Sequence, residues 1–176
     1  MADLWGLMAE FADERALRTA ADRARRAGYR RLDAHTPYPV EGLSEALGHP
    51  RTKLPLLVLA AGVAGAVGGF FLQYYASAVA YPLNIGGKPL VSWPAFVPVT
   101  FELTILFAAS VAVGGMLALN GLPQPYHPVF NVPEFDKASR DGFFLTIEST
   151  DPLFKNAETR RFLAEIGAAK VHDVLP

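Results

Sequence analysis

Leu54-Pro-Leu-Leu-Val-Leu-Ala-Ala-Gly-Val-Ala-Gly-Ala-Val-Gly-Gly-Phe-Phe-Leu72 contains no charged or strongly polar side chain, and the run continues through Gln73, Tyr74 and Tyr75 to Ala80. A helix rises about 1.5 Å per residue, so roughly 20 apolar residues cross a hydrocarbon core about 30 Å thick. The stretch is therefore long enough to span a bilayer, and Pro55 suits a first helical turn. A second apolar run extends from Ala95 to Leu119, interrupted by Thr100, Glu102, Thr104 and Ser110 and ended by Asn120, Gly121 and Pro123. Between them, Tyr81 to Pro94 is rich in Gly, Pro and aromatic residues. Trp93, Tyr81, Tyr74 and Tyr75 stand where an interfacial aromatic belt would lie. The alternative is a soluble protein with two buried core helices, but a domain of 176 residues rarely buries two uncharged stretches this long.

Outward from this centre, charge sets the orientation. Nine Lys or Arg residues precede position 54, one (Lys88) lies in the loop, and six follow Pro123. Arg51 and Lys53 sit beside the first helix, where basic residues weigh most. The positive-inside rule places both termini in the cytoplasm and the loop outside. Met1 to Glu10 carries Asp3 and lacks the basic and apolar regions of a cleaved signal peptide. A net charge of −1, with basic and acidic residues mixed, excludes a nucleic-acid surface. The absence of cysteine excludes disulfides, thiolate-held iron–sulfur clusters, covalently attached c-type haem and cysteine nucleophiles.

Both flanks read as α/β. Leu4 to Phe11 predicts a strand, and Asp13 caps a helix in which Leu17, Ala20, Ala21 and Ala24 recur before Gly28. A second strand is expected at Arg30 to His35. After the apolar centre the order repeats: a strand at Gly142 to Ser149, Asp151-Pro152 opening toward a helix with Phe162, Leu163 and Ile166, then Gly167 and a strand over Lys170 to Val174. Neither βαβ half can bury its own apolar face. The expected fold is thus α+β: a transmembrane hairpin inserted in a split ferredoxin-like cytoplasmic domain. The segments are 1–53, helix 54–80, loop 81–94, helix 95–120 and 121–176, with irregular connectors at Thr36 to Pro50 and Leu122 to Ser139.

Candidate chemistry is sparse. His35, His49, His127 and His172 all lie outside the apolar runs, and no two fall at the i, i+4 spacing of a helical metal site. No nucleophile elbow or phosphate-binding loop is visible, so no catalytic, cofactor-binding or metal residue is assigned. Gly65 and Gly69 form a small-xxx-small pair, and Gly114 and Gly115 add small residues to the second helix. These are the expected helix-packing positions, on each other or on another subunit. Gln73 and Glu102 are the polar interface candidates. Glu102 is the one ionisable residue within either span, and an intramembrane carboxylate is costly enough to indicate function. It would hydrogen-bond the Tyr81 to Pro98 segment or a neighbouring subunit, or serve a quinol-site neighbour or proton path.

Tyr81-Pro-Leu-Asn-Ile-Gly-Gly-Lys-Pro-Leu-Val-Ser-Trp-Pro-Ala-Phe-Val-Pro-Val-Thr-Phe-Glu102, Asp33-Ala-His-Thr-Pro-Tyr-Pro-Val-Glu-Gly-Leu43, His127-Pro-Val-Phe-Asn-Val-Pro-Glu-Phe135 and Asp141-Gly-Phe-Phe-Leu-Thr-Ile-Glu-Ser-Thr-Asp-Pro152 carry a resemblance over nearly the whole chain. Together they resemble the D subunit of bacterial alternative complex III. The resemblance implies membership in a multisubunit quinol oxidoreductase that passes electrons from quinol to cytochrome c or a terminal oxidase. It implies an accessory subunit with no reaction of its own, partnered by polytopic quinol-site subunits, multihaem cytochrome c and iron–sulfur subunits and the lipid bilayer, with a terminal oxidase as a further candidate. Haem c and iron–sulfur clusters would belong to those partners. Two rival readings are an independent membrane-anchored sensor of a small ligand, which would be stable alone, and a transporter component, for which the spans supply too few polar lining residues.

Overall fold

The computed structural model describes residues 4–50 and 52–176, so Asp3 and Arg51, used in the charge and leader arguments, lie outside the described residues. The chain divides into two compact units: Met1–Pro50 with Pro125–Pro176, and Arg51–Gln124.

The first unit draws on both ends of the sequence. Strands β1 (Gly6–Phe11) and β2 (Leu32–His35) come from the N-terminal part, β3 (Phe143–Glu148) and β4 (Lys170–Val174) from the C-terminal part. They form one antiparallel sheet in the order β2-β3-β1-β4. Each half alone therefore has no sheet: β1 and β2 do not touch, because β3 lies between them and pairs with both. In β1 the pairs Leu7↔Ile147 and Leu7↔Asp173 fix the register on either side. Gly6 is required where β1 enters, since a Cβ there would run into the Ile147 carbonyl oxygen.

Helix α1 (Glu14–Arg26) begins where Asp13 Oδ1 accepts from Ala16 N–H at 2.7 Å, satisfying one of the donors a helix start leaves open. Its Leu17, Ala20, Ala21 and Ala24 are buried, and the small alanines let the helix lie close to the sheet. Arg23, Arg25 and Arg26 occupy the last turn, where basic charge suits the helix dipole. The chain then turns at Gly28, whose φ of 104° is left-handed. Helix α5 (Asn156–Glu165) packs on the same side of the sheet, so Leu7, Ala9, Phe11, Leu32, Leu145 and Ile147 meet Leu17 and Leu163 in one core.

The alternating residues of the same strands build a second core on the opposite side. Met8, Phe144 and Val174 are covered by Val129 and Phe135 from two 3₁₀ turns, Pro128–Asn131 and Pro133–Ser139, and by Val132 between them. The expected irregular connector is thus a packed cover. The other connector holds a short helix α2 (Leu43–Leu47), anchored by Leu43 and Leu47 and by Arg25, which donates to the Leu47 carbonyl at 3.1 Å. Asp151 does not open α5 as the sequence suggested. It is buried, and its carboxylate accepts from Arg30 N–H at 2.6 Å, Arg31 N–H at 2.8 Å and Leu153 N–H at 2.9 Å, tying the two chain segments together. Burial alone would raise its pKa, but the backbone donors of Arg31, Arg30 and Leu153 outweigh that and hold the carboxyl below the ordinary range.

The second unit is a helical hairpin. Helix α3 (Leu54–Tyr74) continues as a π-helical turn over Tyr75–Ala80, and helix α4 (Trp93–Leu119) returns, starting two residues earlier than the expected Ala95. Each helical segment is 27 residues long and apolar enough to cross a membrane. The connecting loop turns at Gly86 and Gly87, both left-handed, with Asn84 Oδ1 accepting from Gly87 N–H at 3.2 Å.

Candidate functional site

The geometry most able to act lies in the hairpin. Gly62, Gly65 and Gly69 recur at helical spacing on the side of α3 that meets α4, and all three are buried. A Cβ at Gly65 would collide with the Leu103 carbonyl oxygen, and one at Gly69 would come within 3.1 Å of Leu103 Cδ1 and 3.3 Å of Thr100 Cα. Backbones approach this closely only because the side chains are absent. Gly115 faces Leu54, whose Cδ1 would lie 2.9 Å from an added Cβ. Gly114 has open space around it, so within the hairpin it packs on nothing.

Gln73 continues the same stripe. Its Nε2 donates to the carbonyl oxygens of Gly69 at 3.1 Å and Phe96 at 2.9 Å, with Thr100 Oγ1 at 3.3 Å. The polar side chain thus serves α3–α4 packing, in surroundings where an amide without partners would be costly. Thr104 and Ser110 return their hydroxyls to the carbonyls of Thr100 and Leu106, each at 2.7 Å.

Glu102 differs. It is exposed, and among the described residues it makes neither a hydrogen bond nor an ion pair, including with the Tyr81 to Pro98 segment. Nine residues past Trp93, it lies about 13 Å along the helix axis. The structure therefore brings Gly65, Gly69 and Gln73 together and leaves Glu102 and Gly114 outside that contact.

The outer surface of the hairpin is apolar nearly all round. Leu56, Leu59, Val63, Val67 and Phe71 on α3, and Phe101, Ile105, Leu106 and Val113 on α4, are each at least half exposed. An open groove of about 440 Å³ runs beside the glycine stripe, lined by Gly65, Gly68, Phe71, Leu72, Tyr75 and Phe107 among others. The loop adds Tyr81, Leu83 and Ile85 to the exposed apolar set, and the first residue of α4 adds Trp93.

A second grouping was not foreseen in the sequence. His35, His127 and His172 all lie on the covered side of the sheet, with His35 on edge strand β2 near His127 and His172 on the opposite edge strand β4. His35 meets the Phe135 ring edge-on with centroids 5.0 Å apart, and His127 meets Trp5 in the same way at 5.0 Å. His172 Nδ1 lies 3.6 Å from Glu134. Nε2 of both His35 and His172 is buried without a hydrogen-bond partner among the described residues. Burial lowers the pKa of His35, nearby Asp33 opposes this, and His127 adds to the lowering. The alternation of Asp33 and His35 against Leu32 and Ala34 was the available signal, but it says nothing of what covers that side. Among the described residues no three or more His, Cys, Asp or Glu side chains are placed to hold a metal ion.

No curated protein matches this chain. A family model does, over residues 5–173, which takes in both halves of the sheet unit and the whole hairpin. The family is described as alternative complex III, ActD subunit, and a chain matched over that extent, carrying two helices apolar enough for membrane association, belongs to it.

Proposed function

We propose that this chain is an accessory subunit that crosses the bacterial inner membrane twice and takes no part in electron transfer itself. Within alternative complex III it would help hold together the subunits that pass electrons from quinol to cytochrome c or a terminal oxidase. The observation that carries this reading is the surface of the hairpin. Its helices satisfy each other through Gly62, Gly65, Gly69 and Gln73 and leave the rest of their apolar circumference uncovered. Soluble monomers rarely expose contiguous apolar patches beyond a few hundred Å². Lipid tails and the helices of polytopic neighbours accept such a surface without penalty.

The residues present argue for placing the redox centres in partner subunits. Thiolate-held clusters and covalently attached c-type haem require cysteine, and the sequence has none. All four histidines lie in the sheet unit, two of them among hydrophobic and aromatic side chains of its second core. Multihaem cytochrome c, iron–sulfur and polytopic quinol-site subunits are the proposed partners. For the sheet unit we favour a ferredoxin-like fold split by the hairpin. The support is the order β4-β1-β3-β2 with α1 and α5 on one side, the arrangement of two interleaved βαβ halves.

The test is extraction of native membranes in mild detergent and recovery through a tag after Pro176, with mass spectrometry and a haem spectrum of the eluate. The expected result is co-recovery of haem-containing and polytopic subunits with quinol oxidation. A colourless protein recovered alone would overturn the reading.

A further inference from the structure

Successive residues of an α-helix are rotated by about 100°. The residues of α4 that meet α3 are Phe96, Thr100, Leu103, Thr104, Phe107 and Ala108. Relative to Thr100, Glu102 is rotated by about 200° and so stands on the side of α4 turned away from α3. Pro98, Ile105, Ala109 and Val113 share that side, and all are exposed and apolar.

This side offers hydrogen-bond acceptors and no donor. Glu102 contributes a carboxylate without a partner among the described residues. Where water is excluded, a carboxylate demands a hydrogen-bond donor, and a cationic one above all. Lipid tails supply none. A second copy of this chain does not supply one from its spans either, since neither 54–80 nor 93–119 contains Lys or Arg. Ala95 and Ala109 keep the approach to Glu102 open on the turns before and after it.

We infer that the Glu102 side of α4 is the docking surface for a transmembrane helix of another subunit, which brings an Arg or Lys side chain to the carboxylate. The inference rests on the membrane-spanning reading above and names the side chemistry of the partner. Hydrophobic burial gives no preference for one apolar neighbour over another in lipid, so this charge pair selects both the partner and its depth.

Two measurements on tagged chain in native membranes test it. Glu102→Gln keeps the shape and removes the charge, and it should lower co-recovery of partner subunits about five- to tenfold, while Glu102→Asp should stay within about twofold of the unaltered chain. Because the chain has no cysteine, Ile105→Cys carrying a benzophenone photolabel, at a position already bulky and exposed on the same side, reports the neighbourhood while leaving Glu102, Ala95 and Ala109 in place. It should form an adduct with a different, larger membrane subunit, and the Arg- or Lys-bearing helix is then read from the cross-linked peptide. Undiminished recovery with Glu102→Gln overturns the inference. So does an Ile105→Cys adduct found solely on lipid or on a second copy. If the unaltered tagged chain brings down no partner at all, it is the accessory-subunit reading that fails, and the two failures are thereby told apart.

Discussion

His35 is the residue whose surroundings make the sharpest demand. Its ring packs edge-on against Phe135, and its Nε2 is buried without an acceptor or donor among the described residues, so the neutral form is favoured there. Burial lowers its pKa from 6.5, against Asp33 and with His127. A histidine whose folded pKa is depressed contributes stability that is complete above its unfolded value of 6.5 and is lost as pH falls through the folded value. The melting temperature of the sheet unit should therefore drop by a few degrees between neutral and mildly acidic pH, and His35→Gln should flatten that slope. The chain has two tryptophans, and a Trp93→Phe background leaves Trp5, beside His127, as the reporter of this unit. A slope unchanged by His35→Gln would assign the effect to another group.

At the scale of elements, the α3–α4 contact separates glycines that look equivalent in sequence. Gly65→Leu places a side chain against the Leu103 carbonyl and should destabilise the hairpin by about 1–3 kcal/mol, read from thermal unfolding in detergent. Gly114→Leu meets nothing within the hairpin and should leave that transition unchanged; loss of partner subunits in this variant alone would mark Gly114 as an intersubunit position. The glycine pair at 65 and 69 was visible from spacing, as were α1 with its Asp13 cap and strand β4 over Lys170–Val174. What spacing could not give was the pairing. Periodicity marks β1 and β2 as strands with a buried side, but whether they pair with each other depends on β3, more than a hundred residues downstream of β2. The cover over 125–139 was hidden for a similar reason. Its Pro, Phe and Val residues carry neither the helical nor the strand period, and only Met8 and Phe144 beneath them give Val129 and Val132 something to pack on. Asp151 followed by Pro152 has the form of a helix cap, yet the donors that claim its carboxylate, at Arg30 and Arg31, lie in the other half of the chain.

For the whole molecule, the proposed orientation has a direct check. Lys88→Cys in the exposed loop should react with a membrane-impermeant maleimide added to intact cells stripped of their outer layers, whereas Ser44→Cys on α2 should react only after permeabilisation. The opposite pattern would invert the orientation. The sheet order reaches further, into how the protein is made. Among the described residues β3 is the sole neighbour of β2 and one of the two neighbours of β1, so β1 and β2 form no sheet while only the N-terminal strands have left the ribosome. More than a hundred residues separate His35 from Phe143, so at about 5–20 residues per second translation leaves those strands waiting for roughly 5–20 s. During that interval both apolar helices emerge and can be handed to the insertion machinery. On the proposed membrane-spanning reading, the hairpin would be committed to its environment first and the sheet would close last, like a clasp fastened after the garment is on.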